Sequence, residues 1–202
     1  TVCQVVDDVF SGPTKVSVMP QPNNLQNAHY IEHLGIKALK SSHPGVRRLK
    51  RQQQGHSAHG NKVWRSSFVL MDYLSTYPPA PKSRVLDIGC GEAAWRKPLL
   101  ALRPGLYYQG LDASTYAVQR YGKQRNIAYA RFGQMQHLRP GPPVDLLICS
   151  DVMHYVPAAE LKRGLEGFAE LCAGVAYLDV FCREDAITGD FDGYIARTRS
   201  QY

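Results

Sequence analysis

Between residues 84 and 181 the chain alternates five short apolar β-runs with segments of helical periodicity, and this alternation constrains the fold more than any other feature. The runs are 84–88 (RVLDI), 107–111, 128–132, 145–150 (DLLICS) and 175–181 (VAYLDVF). Helical segments fit between them at 95–102, 116–125 and 158–171. Strands that are apolar throughout are covered on both faces, and strands that alternate with helices pair in parallel. The expectation is an α/β domain with a doubly wound, mostly parallel sheet.

The proline-rich stretch 77–81 (YPPAP) separates this region from what precedes it. Val63, Trp64, Phe68, Leu70, Met71 and Leu74 predict an amphipathic helix over 63–74 that ends there. Residues 41–60 are polar, basic and rich in Gln, Gly and His, and read as a loop. Leu25, His29, Ile31, Leu34, Ile36 and Leu39 lie close to helical spacing, which predicts a helix interrupted at Gly35. Two β-runs, 2–10 and 14–19, flank Ser11-Gly12-Pro13, a tripeptide of hairpin composition. The division expected is an extension over 1–61 followed by a core over 62–202.

With 44% hydrophobic and 20% charged residues, the composition is that of a globular chain. No stretch reaches the ~18 apolar residues that span a bilayer, so no membrane partner is expected. The first residues lack a basic segment followed by an apolar one, so no signal peptide is read there. Five cysteines with no CxxC spacing argue against a zinc site and a disulfide framework, and for a reducing, cytoplasmic setting. The charge is uneven. Residues 37–65 hold eight cations and no acid, while the rest of the chain carries one more acid than base. This segment is either a surface for an anionic partner such as nucleic acid or a solvated face and loop.

The first core run leads into Asp87-Ile88-Gly89-Cys90-Gly91-Glu92-Ala93-Ala94. Here a strand ends, the chain turns on two glycines, and a helix follows. Glycine lets the backbone approach a ligand closely, and a helix start offers unpaired N–H groups. Asp112 stands 23 residues after Gly89, at the end of the second run, where a carboxylate can accept from both hydroxyls of a ribose. A nucleoside-containing cofactor is implied. With Ala94 in third place the turn also satisfies the loose dinucleotide fingerprint G-x-G-x-x-G/A. Asp87 separates the two readings. A pyrophosphate would be repelled by a carboxylate beside the turn, whereas a cofactor carrying an ammonium and a sulfonium would be attracted.

Three segments, DIGCGE (87–92), GLDAS (110–114) and DLLICSDVMHYV (145–156), resemble in order and spacing the cofactor motifs of class I S-adenosylmethionine-dependent methyltransferases. The resemblance covers residues 62–182 and implies a Rossmann-like core with S-adenosylmethionine as cofactor. It implies that Asp87, Gly89, Cys90 and Gly91 surround the methionine end of the cofactor. Asp112 would hold the ribose, with Ala113 beside the adenine. Gln134, where the family usually has an acid, would face the adenine amino group, Met135 would pack on the ring, and Ser150 would stand near the methyl group. Packing alone also accounts for Met135 and Cys90, and a helix N-cap for Asp112.

Methyl transfer needs a general base only where the nucleophile carries a proton. The candidates after the fourth run are Asp151, His154 and Tyr155, with His154 favoured on ordinary pKa grounds. The Asn/Asp-Pro-Pro-aromatic tetrad of amino-methylating nucleic-acid enzymes is absent, since Ser150-Asp151-Val152-Met153 occupies its place. Cys149-Ser150 lacks the Cys-Pro pair of pyrimidine C5 enzymes. The acceptor expected is a small molecule or a protein side chain, with Trp64 a candidate substrate contact. The competing readings are an inactive binding module and an RNA-directed enzyme using segment 37–65. The family's terminal strands six and seven have no counterpart after 181. The N-terminal β-runs are candidates to replace them, within one chain or across a homodimer.

Overall fold

The computed structural model describes the backbone of residues 2–7, 30–33, 36–39 and 66, and residues 67–185 and 193–202 in full. The elements in chain order are β1 (Val2–Asp7), β2 (Tyr30–His33), β3 (Ile36–Leu39), α1 (Ser66–Thr76), β4 (Arg84–Ile88), α2 (Arg96–Leu102) and β5 (Tyr107–Asp112). They continue with α3 (Thr115–Arg125), β6 (Ile127–Tyr129), β7 (Val144–Ser150), α4 (Ala158–Glu166), α5 (Phe168–Leu171) and β8 (Cys172–Val180). Short 3-10 turns lie at Phe132–Gln136, Met153–Tyr155 and Arg199–Gln201.

Six strands form one sheet in the order β1-β8-β7-β4-β5-β6. The five from the core are parallel, and β1 runs antiparallel along β8. From β4 the chain winds outward to β5 and β6, then returns to the other side of β4 with β7 and β8. The reversal makes the carboxyl ends of β4 and its neighbours a crevice of the kind where open α/β sheets bind ligands.

Alternation along the strands builds two cores. Val85, Tyr108, Leu146, Ile148 and Tyr177 join one face with Phe68, Leu70, Met71, Leu74 and Leu99 from α1 and α2. Leu86, Leu111, Leu147, Cys149 and Ala176 join the other with Met135, Leu161, Phe168 and Leu171. Helix α1 is less amphipathic than the expectation for 63–74: residues 67 through 71 are all buried.

Three expectations need correction. The helix predicted over 25–39 is replaced, in its described residues 30–33 and 36–39, by the antiparallel pair β2 and β3, with His33 paired to Ile36. Strand pairing, which periodicity does not register, decides these residues. The predicted helix over 158–171 breaks at Gly167 into α4 and α5. A Cβ there would lie 1.9 Å from the Met135 carbonyl oxygen, so this close approach admits only glycine. The third strand is shorter than 128–132, and Phe132 belongs to the following 3-10 turn.

The N-terminal run supplies the strand beyond β8. Val2 pairs with Val180 and Asp7 with Val175, within one chain. The run 14–19, the loop 41–60 and Trp64 lie outside the described residues, and of the basic segment 37–65 only the end of β3 is described.

Candidate functional site

The chain leaves β4 through a turn in which Gly89, Gly91 and Ala93 all take positive φ, at 69°, 52° and 58°. Glycine adopts this left-handed region freely, whereas Ala93 does so at a cost of about 1–2 kcal/mol. The turn is tied to β5, with the Gly89 and Cys90 N–H groups donating to the Leu111 carbonyl at 2.7 and 3.2 Å. Helix α2 begins at Arg96, within one residue of the expected start at 95. Trp95 is partly buried against the α1–α2 core.

Asp112 closes the turn from β5. Its Oδ2 accepts from the Gly91 N–H at 2.6 Å and its Oδ1 from the Ser114 N–H at 2.7 Å. The N-cap of α3 is Ser114, whose Oγ accepts from the Ala117 N–H at 3.2 Å, so Asp112 is not the cap. Each Asp112 oxygen keeps a further lone pair. Ala113, next in sequence, and Gln134 are exposed, and Gln134 Oε1 accepts from the Arg131 N–H at 2.7 Å. Met135 has no exposed surface and lies wholly within the second core.

Asp87 points into the first core and is 3% exposed. The Tyr108 hydroxyl donates to its Oδ2 at 2.5 Å. Burial pushes the Asp87 carboxyl from 3.8 up to about 7, the Tyr108 hydrogen bond opposes the rise, and the negative charge of Asp112 adds to it. Tyr108 escaped the sequence reading, although a hydroxyl-bearing ring inside an apolar strand is a usable signal. Cys90 is buried against Gly110, where a Cβ would lie 2.5 Å from its sulfur. Desolvation pushes the thiols of Cys90 and Cys149 well above their usual range, which leaves both as packing groups rather than nucleophiles.

The segment after β7 folds back over the glycine turn. A Cβ on Gly89 would lie 2.2 Å from the Val152 side chain, so the two loops meet there. The Ser150 hydroxyl donates to Asp179 Oδ2 at 3.0 Å, and the Asp151 N–H donates to the Asp179 carbonyl at 3.3 Å. Asp179, on β8, is fully buried; an acid within the run VAYLDVF was the signal for it. Asp151 takes φ 60°, and its side chain is 9% exposed. Neither of its carboxylate oxygens has a hydrogen-bond partner.

His154 is fully buried. Its Nδ1 accepts from the Phe181 N–H at 3.3 Å, which places the ring proton on Nε2. Nε2 lies 3.1 Å from Asp151 Oδ1 but off the line of a hydrogen bond. The rings of Tyr155, Phe181 and Tyr194 surround it at centroid distances of 4.4, 5.1 and 5.7 Å. The C-terminal segment holds this turn in place. The Ile195 N–H donates to the His154 carbonyl, and the Arg197 guanidinium donates to the Met153 and Val156 carbonyls at 3.2 and 2.6 Å. A lone Arg in a polar tail gave no sequence signal for this role.

A separate groove of about 460 Å³ lies by Gln136, His137, Arg139, Glu166 and Glu170. Its polar groups bond one another, Gln136 to Glu166 and Arg139 to Glu170. Among the described residues no group of three His, Cys, Asp or Glu could hold a metal ion, and no helix is long and apolar enough to cross a membrane.

Residues 86–175 match a family model described as a methyltransferase domain. Over 88 residues the chain is 33% identical to a trans-aconitate 2-methyltransferase of Methylobacterium nodulans, an alignment covering 43% of this chain and 33% of that protein. The chain thus aligns with about a third of that relative. Among solved structures, magnesium protoporphyrin IX methyltransferase of Synechocystis, crystallised with S-adenosylhomocysteine, superposes with a TM-score of 0.54 at 17% identity, over 78% of this chain and 80% of that one. An amino pentose methyltransferase of Micromonospora echinaspora gives 0.48 at 19% identity, over 72% and 60%.

Proposed function

We propose that this chain, a member of the class I S-adenosylmethionine-dependent methyltransferase superfamily, binds S-adenosylmethionine across the carboxyl ends of β4, β5 and β7 and transfers its methyl group to a small-molecule or protein side-chain acceptor. The observation that carries the reading is Asp112. Its carboxylate is fixed at the end of β5 by two backbone N–H groups, and each oxygen retains a lone pair for a ribose hydroxyl. Asp87 supports it from β4, because a carboxyl poised at about 7 is readily ionised by an incoming ammonium. When bound, the cofactor supplies a methyl group already activated on sulfur. The chain has then to align an acceptor with that carbon and exclude water. The loop 151–156, seated on Gly89, stands where an acceptor would meet it. The match to trans-aconitate 2-methyltransferase supports methyl transfer to a small molecule but reaches too little of either chain to transfer its substrate.

The test is calorimetric titration of S-adenosylmethionine into the wild-type chain and Asp112→Ala. Loss of a charged hydrogen-bond acceptor should weaken binding by about 1.5–3 kcal/mol, roughly ten- to a hundredfold. Equal affinity in the two proteins would remove Asp112 from the site.

A further inference from the structure

Asp151 is the one described carboxylate whose two oxygens are both buried and both without a hydrogen-bond partner. It sits directly after β7, in a left-handed conformation, on the loop that packs against the glycine turn. A buried carboxylate in that condition costs several kcal/mol unless a cation or donors reach it. Among the described residues no Lys or Arg is paired with it, and only the off-line Nε2 of His154 is near. Among the described residues nothing compensates the carboxylate, which leaves it open to a bound ligand.

We infer that the acceptor is an amine, held as an ammonium by Asp151, and that Asp151 rather than His154 takes its proton. This rests on the methyl-transfer reading above. The charge argument selects the class. An ammonium neutralises the orphan carboxylate, whereas a carboxylate or phosphate acceptor would meet a like charge in a medium that screens poorly. A hydroxyl would donate one bond and leave the charge uncompensated. The ammonium in turn must lose a proton before its nitrogen can attack. Away from water, an ammonium–carboxylate pair neutralises itself when one proton moves from nitrogen to oxygen. The freed nitrogen lone pair forms the new N–C bond, the S–C bond breaks with its electrons passing to sulfur, and the product leaves as an N-methylammonium. Asp151 then returns its proton to solvent. His154 cannot play this part from its position, because it is fully buried and its Nδ1 already accepts from Phe181. It is a positioning residue: Nε2 faces Asp151 Oδ1, and the imidazole is itself held by Phe181, Tyr194 and Tyr155.

The experiment uses the full chain in two arms. Calorimetry first establishes that S-adenosylhomocysteine binds; no binding would fail the methyl-transfer reading itself. The loaded protein, labelled with carbon-13 aspartate, is then titrated with methylammonium chloride, with potassium chloride and potassium acetate as controls. The Asp151 carboxyl resonance, assigned by its loss in Asp151→Asn, should shift saturably with methylammonium alone. No shift, or the same shift with potassium, overturns the inference while the cofactor result stands. In the second arm, carbon-13 methyl S-adenosylmethionine is incubated with a metabolite extract. The labelled methyl should appear on nitrogen, and Asp151→Asn should lower its yield about 10²–10⁴-fold without loss of cofactor affinity. A methyl group on oxygen overturns the inference. Asn is isosteric with Asp and tolerates the left-handed conformation, so the variant tests charge rather than folding.

Discussion

Asp87 carries the sharpest conflict between folding and function. Its carboxyl is raised to about 7 from 3.8, with burial the largest cause. Between roughly pH 4 and 7 the folded chain therefore keeps a proton that the unfolded chain has lost. The stability this contributes is fully present below about pH 4, falls as pH rises, and is gone above about pH 7, a change on the order of 4 kcal/mol. Asp87→Asn should flatten that slope and raise the urea midpoint at pH 8. The same variant should bind S-adenosylmethionine more weakly, because the ammonium loses its counter-charge. Wild-type affinity should tighten from pH 6 to pH 8, and Tyr108→Phe should move that midpoint upward by removing the bond that favours the charged form. Urea melts and calorimetry over this range check both halves; a wild-type affinity indifferent to pH would separate Asp87 from the ammonium. Of these residues Asp87 was legible in the sequence, because an acid before a glycine turn is conspicuous. Tyr108 and Ala93 were not, since neither a tertiary hydrogen bond nor a positive φ at alanine leaves a pattern in residue order.

At the scale of elements, the continuous apolar runs between 84 and 181 were legible because burial on both faces leaves them little choice but apolar residues. The β2–β3 pair was not. Its apolar residues fall by accident near helical spacing, and the deciding feature is strand pairing. The break at Gly167 was hidden for a similar reason, because the Met135 carbonyl that excludes a side chain comes from an element about thirty residues away. Strand β1 was legible as a β-run, and its place was suggested only by the want of a strand beyond β8. That place has a consequence. Without β1 the N–H and C=O groups along β8 form an unprotected edge. Deleting residues 1–10 should cost about 2–4 kcal/mol of backbone pairing, lower the melting temperature by about 5–10 °C, and promote self-association. Differential scanning calorimetry with light scattering reads both. An unchanged melt and a monodisperse sample would mean that β1 contributes nothing to the sheet in solution.

Across the whole molecule, the sheet order brings together acids that the sequence scatters. Asp87 on β4, Asp112 on β5, Asp151 after β7 and Asp179 on β8 all lie toward the carboxyl ends of their strands. Parallel registers set Asp87 opposite Ile148 and Ser150 opposite Asp179. The C-terminal segment then clasps the 153–156 turn through Arg197, so residues more than forty apart in the chain fix one loop. These strand ends are thus rich in carboxylates. The most direct measurement is recovery of the methyl group itself. The full chain is incubated with methyl-labelled S-adenosylmethionine and a host extract, and products are separated by mass spectrometry. Labelled acceptor and S-adenosylhomocysteine should appear in equal amounts and both should fall together in Asp112→Ala. A wild-type chain that binds the cofactor yet returns it intact, with no labelled acceptor formed, would contradict methyl transfer.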